Sequence, residues 1–227
     1  MSAITVGLDL GQAQDYTALV VVERVMVLPP GVELADYHRR PHEYTLREEH
    51  HVRALRRWEL ATPYPVVVAD VARLMGAEVL RDAVLFFDGS GVGRAVRDLL
   101  RQAYAEEPFG AFRPIGITAT GGIARNGWHI PKADLLAAVQ VQLQQGTLRI
   151  ADRLPLGDVL ERELGGFRQT ITASGRATYD IQRRAGEGHG DLVSALALAL
   201  ISPNWIAHPR VIATEPTGRI DHDHHRD

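Results

Sequence analysis

Apolar residues gather first into short runs and only later into helical stripes. Residues 4–10 form one such run, interrupted by an acid, Asp9, before Leu10 and Gly11. Residues 17–28 are rich in valine and read as a second strand, closed by the turn Pro29-Pro30-Gly31. Residues 37–58 interleave Arg, His and Glu with β-formers, which predicts a third strand, long and partly exposed. From Tyr64-Pro65 onward the period changes: Val67, Val71, Leu74 and Met75 recur at helical spacing. A buried strand over 83–87 leads to Asp88, and Gly89-Ser90-Gly91-Val92-Gly93 turns into a helix carrying Val96, Leu99 and Leu100. A strand is expected over 112–118. Pro131 opens a helix with Leu135, Val139 and Leu143 on one face. A short strand at 148–150 and an amphipathic helix at 154–167 follow. Residues 170–172 and 177–181 flank Ala173-Ser174-Gly175-Arg176, a hairpin signal, and 191–201 is the last helix.

Three strands followed by strands alternating with helices predict an α/β fold. Its mixed sheet has an antiparallel meander on one side, parallel crossovers on the other, and helices on both faces. Ribonuclease-H-like folds are built this way, as are the half-domains of actin-like ATPases. Two such domains around a nucleotide cleft need a longer chain, so residues 1–203 are expected to form a single ribonuclease-H-like domain. Beyond Pro203 the apolar period ends, and 204–227 is expected to be a disordered tail. Its Asp221-His222-Asp223-His224-His225 run has metal-binding residue types but no packed scaffold to fix their geometry.

Composition narrows the chemistry. There is no cysteine, which excludes disulfides, thiolate metal sites and cysteine nucleophiles. The net charge of −3 gives no global signal for nucleic acid, so any polyanion contact must come from local positive charge. The N-terminus lacks a basic leader, and the apolar run at 192–201 is too short to span a bilayer. The expected location is the cytoplasm, with no membrane partner. Basic residues are almost all arginine, and Lys132 is the single lysine.

Three aspartates far apart in sequence carry the candidate chemistry. Asp9 and Asp88 each end an apolar strand just before a glycine-containing turn. If those strands are adjacent and parallel, both side chains emerge at one carboxyl edge, where open α/β sheets place ligands. Carboxylates forced together repel, and a divalent cation relieves that cost. Asp191, at the start of the last helix, is the third candidate; a helix N-cap role competes with it. Asp15 is a fourth, with a turn cap as its competing role. A third carboxylate permits two Mg²⁺ or Mn²⁺ ions roughly 4 Å apart to clamp an in-line phosphodiester displacement.

Candidate substrate contacts are basic. Lys132, Arg125 and His129 flank a glycine-rich loop near a helix start, suited to a phosphate. Arg183, Arg184 and His189 precede Asp191. The densest basic stretch holds Arg39, Arg40, Arg47, Arg53, Arg56 and Arg57. It reads equally as a phosphate-tracking face or as a solvated face balanced by Glu43, Glu48 and Glu49. Gly89-Ser90-Gly91-Val92-Gly93 has the wrong spacing for a dinucleotide turn, and no phosphate-binding loop of the Gly-x4-Gly-Lys-Ser/Thr type exists. No nucleotide cofactor is expected.

An ordered set of motifs resembles the nuclease domain of phage large terminase subunits. It comprises Gly7-Leu8-Asp9-Leu10-Gly11 with Asp15-Tyr16-Thr17-Ala18, then Phe87-Asp88-Gly89-Ser90-Gly91-Val92-Gly93, then Thr118-x2-Gly121-Gly122. Ile130-Pro131-Lys132-x-Asp134-Leu135, Glu161-x-Glu163-Leu164-x2-Phe167 and Gly188-His189-Gly190-Asp191-Leu192 follow, so the resemblance covers residues 4–201. It implies a ribonuclease-H-like fold, Asp9, Asp88 and Asp191 as metal ligands, and endonucleolytic cutting of concatemeric viral double-stranded DNA during packaging. A separate packaging ATPase and a portal are the implied partners. Gly190 stands where the family often carries a second aspartate, which removes one possible ligand. The absent motor motif implies an excised domain or a free-standing nuclease, unable to drive packaging alone. Two other readings compete: a dimeric junction-resolving nuclease of the same fold, and a non-catalytic DNA-binding or assembly module.

Overall fold

The structure is a computed structural model and describes residues 3–11, 14–110, 113–121, 127–171, 177–181, 190–201 and 209–213. Its strands are β1 (Ala3–Asp9), β2 (Ala18–Val27), β3 (Arg47–Arg57), β4 (Val84–Asp88), β5 (Ile115–Thr120), β6 (His129–Pro131), β7 (Leu148–Ile150), β8 (Phe167–Ile171), β9 (Ala177–Ile181) and β10 (Arg210–Ile212). Its helices are α1 (Leu34–Arg39), α2 (Tyr64–Met75), α3 (Gly93–Glu106), α4 (Lys132–Gln145), α5 (Gly157–Gly165) and α6 (Asp191–Ala199).

The main sheet has the order β6-β5-β4-β1-β2-β3-β7. β1, β2 and β3 form the antiparallel meander. β4, β5 and β6 add in parallel on the other side of β1. This is the expected ribonuclease-H-like arrangement, and its cause lies in the burial pattern. Along β1, Ile4, Val6 and Leu8 join one core with α2 and α3, while Ala3 joins a second core with α4, α5 and α6. β4 is apolar on both faces, as a strand covered twice must be: Leu85 and Phe87 enter the first core, Val84 and Phe86 the second.

α6 occupies the centre of its face, with every residue but Ser194 buried. A helix apolar on all sides belongs there. It lies directly on β1 because Gly7 has no side chain: a Cβ at that position would stand 1.9 Å from the Ala195 carbonyl oxygen. The Thr5 hydroxyl, two residues earlier on the same face, donates to the Ala199 carbonyl. Backbone contact with β1 thus fixes the body and C-terminal end of α6.

Three local features differ from the sequence expectation. The single strand expected over 37–58 is α1, a 3₁₀ turn at Pro41–Glu43, and then β3. α1 buries no residue and rests on charge pairs three residues apart, Asp36 with Arg39, followed by Arg40 with Glu43. Pro131, expected to open a helix, ends the short strand β6, and the helix begins at Lys132. Within the stretch expected to be tail, β10 pairs in parallel with β2 at Val25, Met26 and Val27; residues 204–208 and 214–227 lie outside the described ones.

Candidate active site

Leu8 pairs with Phe87 in the register of β1 and β4, so the next step sets Asp9 beside Asp88. Side chains alternate along strands, and both acids therefore fall on the α6 face of the carboxyl edge. Asp191, 3% exposed, is the first residue of α6 and reaches the same edge from the helix side. Asp9, Asp15, Asp88 and Asp191 line one cleft of about 460 Å³ together with Lys132. Part of its wall is apolar, with Ile117 from β5, Leu135 and Leu136 from α4, and Ala197 and Leu198 from α6, beside Ser90 and Ser194.

Burial makes the Asp9 charge expensive. The Asp9 carboxyl is pushed up to about 8 by loss of solvation, by Asp88 and by Asp191, against a lowering pull from Lys132. Asp88 is held in place by its own turn: the Ser90 backbone N–H and hydroxyl donate to its Oδ1 at 2.8 and 2.5 Å. Asp191 is the first residue of the helix rather than its cap. The cap position is Gly190, in the left-handed region at φ 77°, where glycine is favoured and the extended geometry of an ordinary cap is lost. The N–H groups of Leu192 and Val193 instead donate to Glu163 Oε2 from α5, at 3.0 and 3.1 Å.

The lone lysine sits at the first position of α4, exposed, against the preference of a helix N-terminus for negative charge. The acids across the cleft account for that placement. His129 lies on β6, exposed, and does not line the cleft. Arg125, Arg183, Arg184 and His189 lie outside the described residues. The six arginines of the basic stretch all have acidic partners: Asp36, Glu43, Glu49, Glu23, Asp70 and Glu163 for Arg39, Arg40, Arg47, Arg53, Arg56 and Arg57 respectively. Their charge is largely answered within the protein, which favours the balanced-face reading. Sequence reasoning placed Arg57 only in the basic stretch and Glu163 only in the motif Glu161-x-Glu163; it did not bring the two together, as the structure does.

The donor set fits a hard divalent cation, being oxygen only. Among the described residues, no three or more His, Cys, Asp or Glu groups stand as a ready cage for an ion. Mg²⁺ does not need one, because it keeps several waters and takes only a few carboxylates.

A ribonuclease-H-like sheet with three acids converging at its carboxyl edge is the class that fold and site define. No protein-family model matches the chain, and no curated protein matches it in sequence. Solved structures of terminase nucleases share its fold. The large terminase nuclease from thermophilic phage G20c, with bound magnesium, is 20% identical, with a TM-score of 0.53 over 88% of this chain and 80% of that one. The large terminase nuclease domain of Thermus phage P74-26 is 19% identical, with a TM-score of 0.51 over 87% and 78%. The large terminase of bacteriophage HK97 is 16% identical, with a TM-score of 0.51 over 87% of this chain but 38% of its own length. Among the described residues no helix is long and apolar enough to cross a membrane.

Proposed function

We propose that the chain is a divalent-metal-dependent DNA endonuclease of the large-terminase kind. Asp9, Asp88 and Asp191 are the metal-holding acids, with Asp15 at the margin of the same site. The ions are Mg²⁺ or Mn²⁺, two of them. The observation that carries this reading is the convergence of three acids on one cleft: burial first, and then Asp88 and Asp191, push the Asp9 carboxyl up to about 8, a cost that a cation removes. The magnesium bound to the G20c nuclease supports the choice of cation.

When bound, the ions supply Lewis acidity, lowering the pKa of a water and stabilising the leaving oxygen. The protein's own groups do the rest. Ser90 holds Asp88 Oδ1 in a fixed direction, so this acid meets its ligand with little reorganisation. Ile117, Leu135 and Leu136 keep one part of the cleft wall apolar, where charge interactions are stronger than in open water. Lys132 brings the one ammonium of the chain to the cleft, where it neutralises charge on the scissile phosphate. Arg125, His129, His189, Arg183 and Arg184 are further substrate contacts in this reading. The substrate is double-stranded DNA in the host cytoplasm, with a packaging ATPase and a portal as partners.

Supercoiled plasmid incubated with the protein and Mg²⁺, Mn²⁺ or EDTA tests this. Nicking or linearisation with metal, absent in EDTA and in Asp88→Asn, is the expected result. Equal behaviour of wild type and variant contradicts it. Selective cutting of a four-way junction over linear duplex would favour the junction-resolving nuclease.

A further inference from the structure

Glu163 is buried on α5, outside the set of acids that line the cleft, yet it holds the end of α6 that bears one of them. Its Oε2 accepts from the N–H groups of Leu192 and Val193, the second and third residues of α6. An N-cap side chain makes these bonds at an ordinary helix start. α6 has no such side chain of its own, because Gly190 occupies the cap. The cap is therefore supplied across the fold, from a residue 29 positions earlier.

The other carboxylate oxygen points elsewhere. Glu163 Oε1 stands 3.8 Å from Arg57 Nη1, at the end of β3. The same guanidinium lies over the Tyr16 ring, 4.1 Å from its centroid. Tyr16 adjoins Asp15 in the segment that follows Gly11. Gly11 and Thr17 are joined to each other, the Gly11 N–H donating to the Thr17 hydroxyl at 3.1 Å, and the Tyr64 hydroxyl donates to the Gly11 carbonyl at 2.9 Å.

We propose that Glu163 is a positioning residue for Asp191, capping α6 from α5 and, through Arg57 and Tyr16, linking the third acid to Tyr16 and its neighbour Asp15. The inference rests on the reading of Asp191 as a metal-holding acid. Asp191 is the first residue of α6, so the two bonds immediately after it set where its carboxylate stands. Gly7 and Thr5 fix the far end of the helix, and Glu163 fixes the near one.

Two substitutions in the full chain separate the cap from its absence. Glu163→Gln keeps an oxygen that accepts both N–H groups; Glu163→Ala keeps nothing. The first readout is the rise in melting temperature with Mn²⁺ alone, which gives an apparent Mn²⁺ affinity without DNA. The second is kcat and KM for Mn²⁺-supported plasmid cleavage. Glu163→Ala is expected to weaken Mn²⁺ binding roughly ten-fold or more, as loss of groups that orient metal ligands does. It should lower kcat with little change in KM, and Glu163→Gln should stay close to wild type. Arg57→Gln, which leaves the cap intact, should fall between them and serves as the informative variant if Glu163→Ala does not fold. A Glu163→Ala protein that melts earlier but keeps wild-type Mn²⁺ affinity and kcat overturns the proposal, as does a Gln variant as damaged as the Ala one. If wild type responds to Mn²⁺ but does not cleave, the nuclease reading fails while Mn²⁺ affinity still decides the role of Glu163. If wild type shows no Mn²⁺ response, both fall.

Discussion

Asp9 and Asp88 occupy neighbouring positions on two adjacent parallel strands, one register step beyond Leu8 and Phe87. Such strands run about 4.8 Å apart, close enough for the Asp88 charge to add to burial in disfavouring ionisation of Asp9. The consequences of that spacing are measurable in the metal-free protein and in its response to cations.

Stability without metal should fall as pH rises. The Asp9 carboxyl is raised to about 8 from an ordinary 3.8. Between these values the folded chain keeps a proton that the unfolded chain has released. The stabilisation is full below the lower value and lost as pH climbs through the upper one. Glu163, raised to about 7 from 4.5 chiefly by burial, acts in the same direction. Melting temperatures in EDTA should therefore decline from about pH 5 to about pH 8, with a shallower decline in Asp9→Asn. Parallel curves for the two proteins would show that Asp9 is not the group responsible.

Cation binding should run the other way with pH. A metal favours the ionised acids, so the thermal shift produced by Mn²⁺ should grow as pH rises toward 8 and beyond. Asp88→Asn removes one source of repulsion and one ligand together. It should leave the EDTA form at least as stable as wild type while abolishing most of the Mn²⁺ shift. A variant that is less stable in EDTA and equally responsive to Mn²⁺ contradicts this.

Gly7→Ala should be among the most damaging single-methyl changes in the chain. The new carbon would meet the Ala195 carbonyl oxygen at 1.9 Å and the Ala199 nitrogen at 2.6 Å, both backbone atoms that no rotamer change can move. Overpacking of this kind costs about 3 kcal/mol or more. Urea unfolding measures it. Displacement of α6 should also blunt the Mn²⁺ response, because Asp191 begins that helix. A change within about 0.5 kcal/mol, the range of ordinary surface substitutions, would refute the close packing.

Lys132→Ala should reduce the cleavage rate about 100-fold, as loss of one charge-stabilising donor does, with KM for DNA changed far less. Lys132→Arg should restore only part of the rate, since a planar guanidinium does not reproduce a compact ammonium. Single-turnover rates at saturating DNA test both. An unchanged rate in Lys132→Ala would remove the residue from the reaction.

Exposed arginines already paired within the protein should matter little to DNA. Arg39→Gln and Arg40→Gln lose partners Asp36 and Glu43, both on the surface. The salt dependence of DNA binding in Ca²⁺ should keep its slope in both variants. A reduction of about 0.9 per substitution would mean that these side chains contact phosphates.

What was legible in the sequence follows range. Asp9 and Asp88 were readable because each interrupts or ends an apolar run before a turn, a local pattern that survives folding. The hairpin of β8 and β9 was readable for the same reason. β6 and β10 were not, because neither His129-Ile130-Pro131 nor Arg210-Val211-Ile212 alternates apolar and polar residues as Leu148-Arg149-Ile150 of β7 does. α1 looked like exposed strand because its stability comes from pairs of opposite charge, not from an apolar stripe. The partners of Arg57 and Glu163 were not legible because they are distant: the Arg57 contact joins β3 to α5, and the Glu163 bonds join α5 to α6. Likewise, the basic stretch looked available to a polyanion until its acidic partners, Glu23 and Asp70 among them, came into place from other elements.

The most direct measurement is a calorimetric titration of the chain with Mn²⁺ at pH 8, comparing wild type with Asp9→Asn, Asp88→Asn and Asp191→Asn. Asp134→Asn, on the exposed side of α4 and outside the cleft lining, serves as the control. If the three acids form one cation site, each of their substitutions weakens Mn²⁺ binding by about ten-fold or more, and the control does not. Binding that is unchanged in all three, or lost equally in the control, would contradict a metal centre at this edge of the sheet.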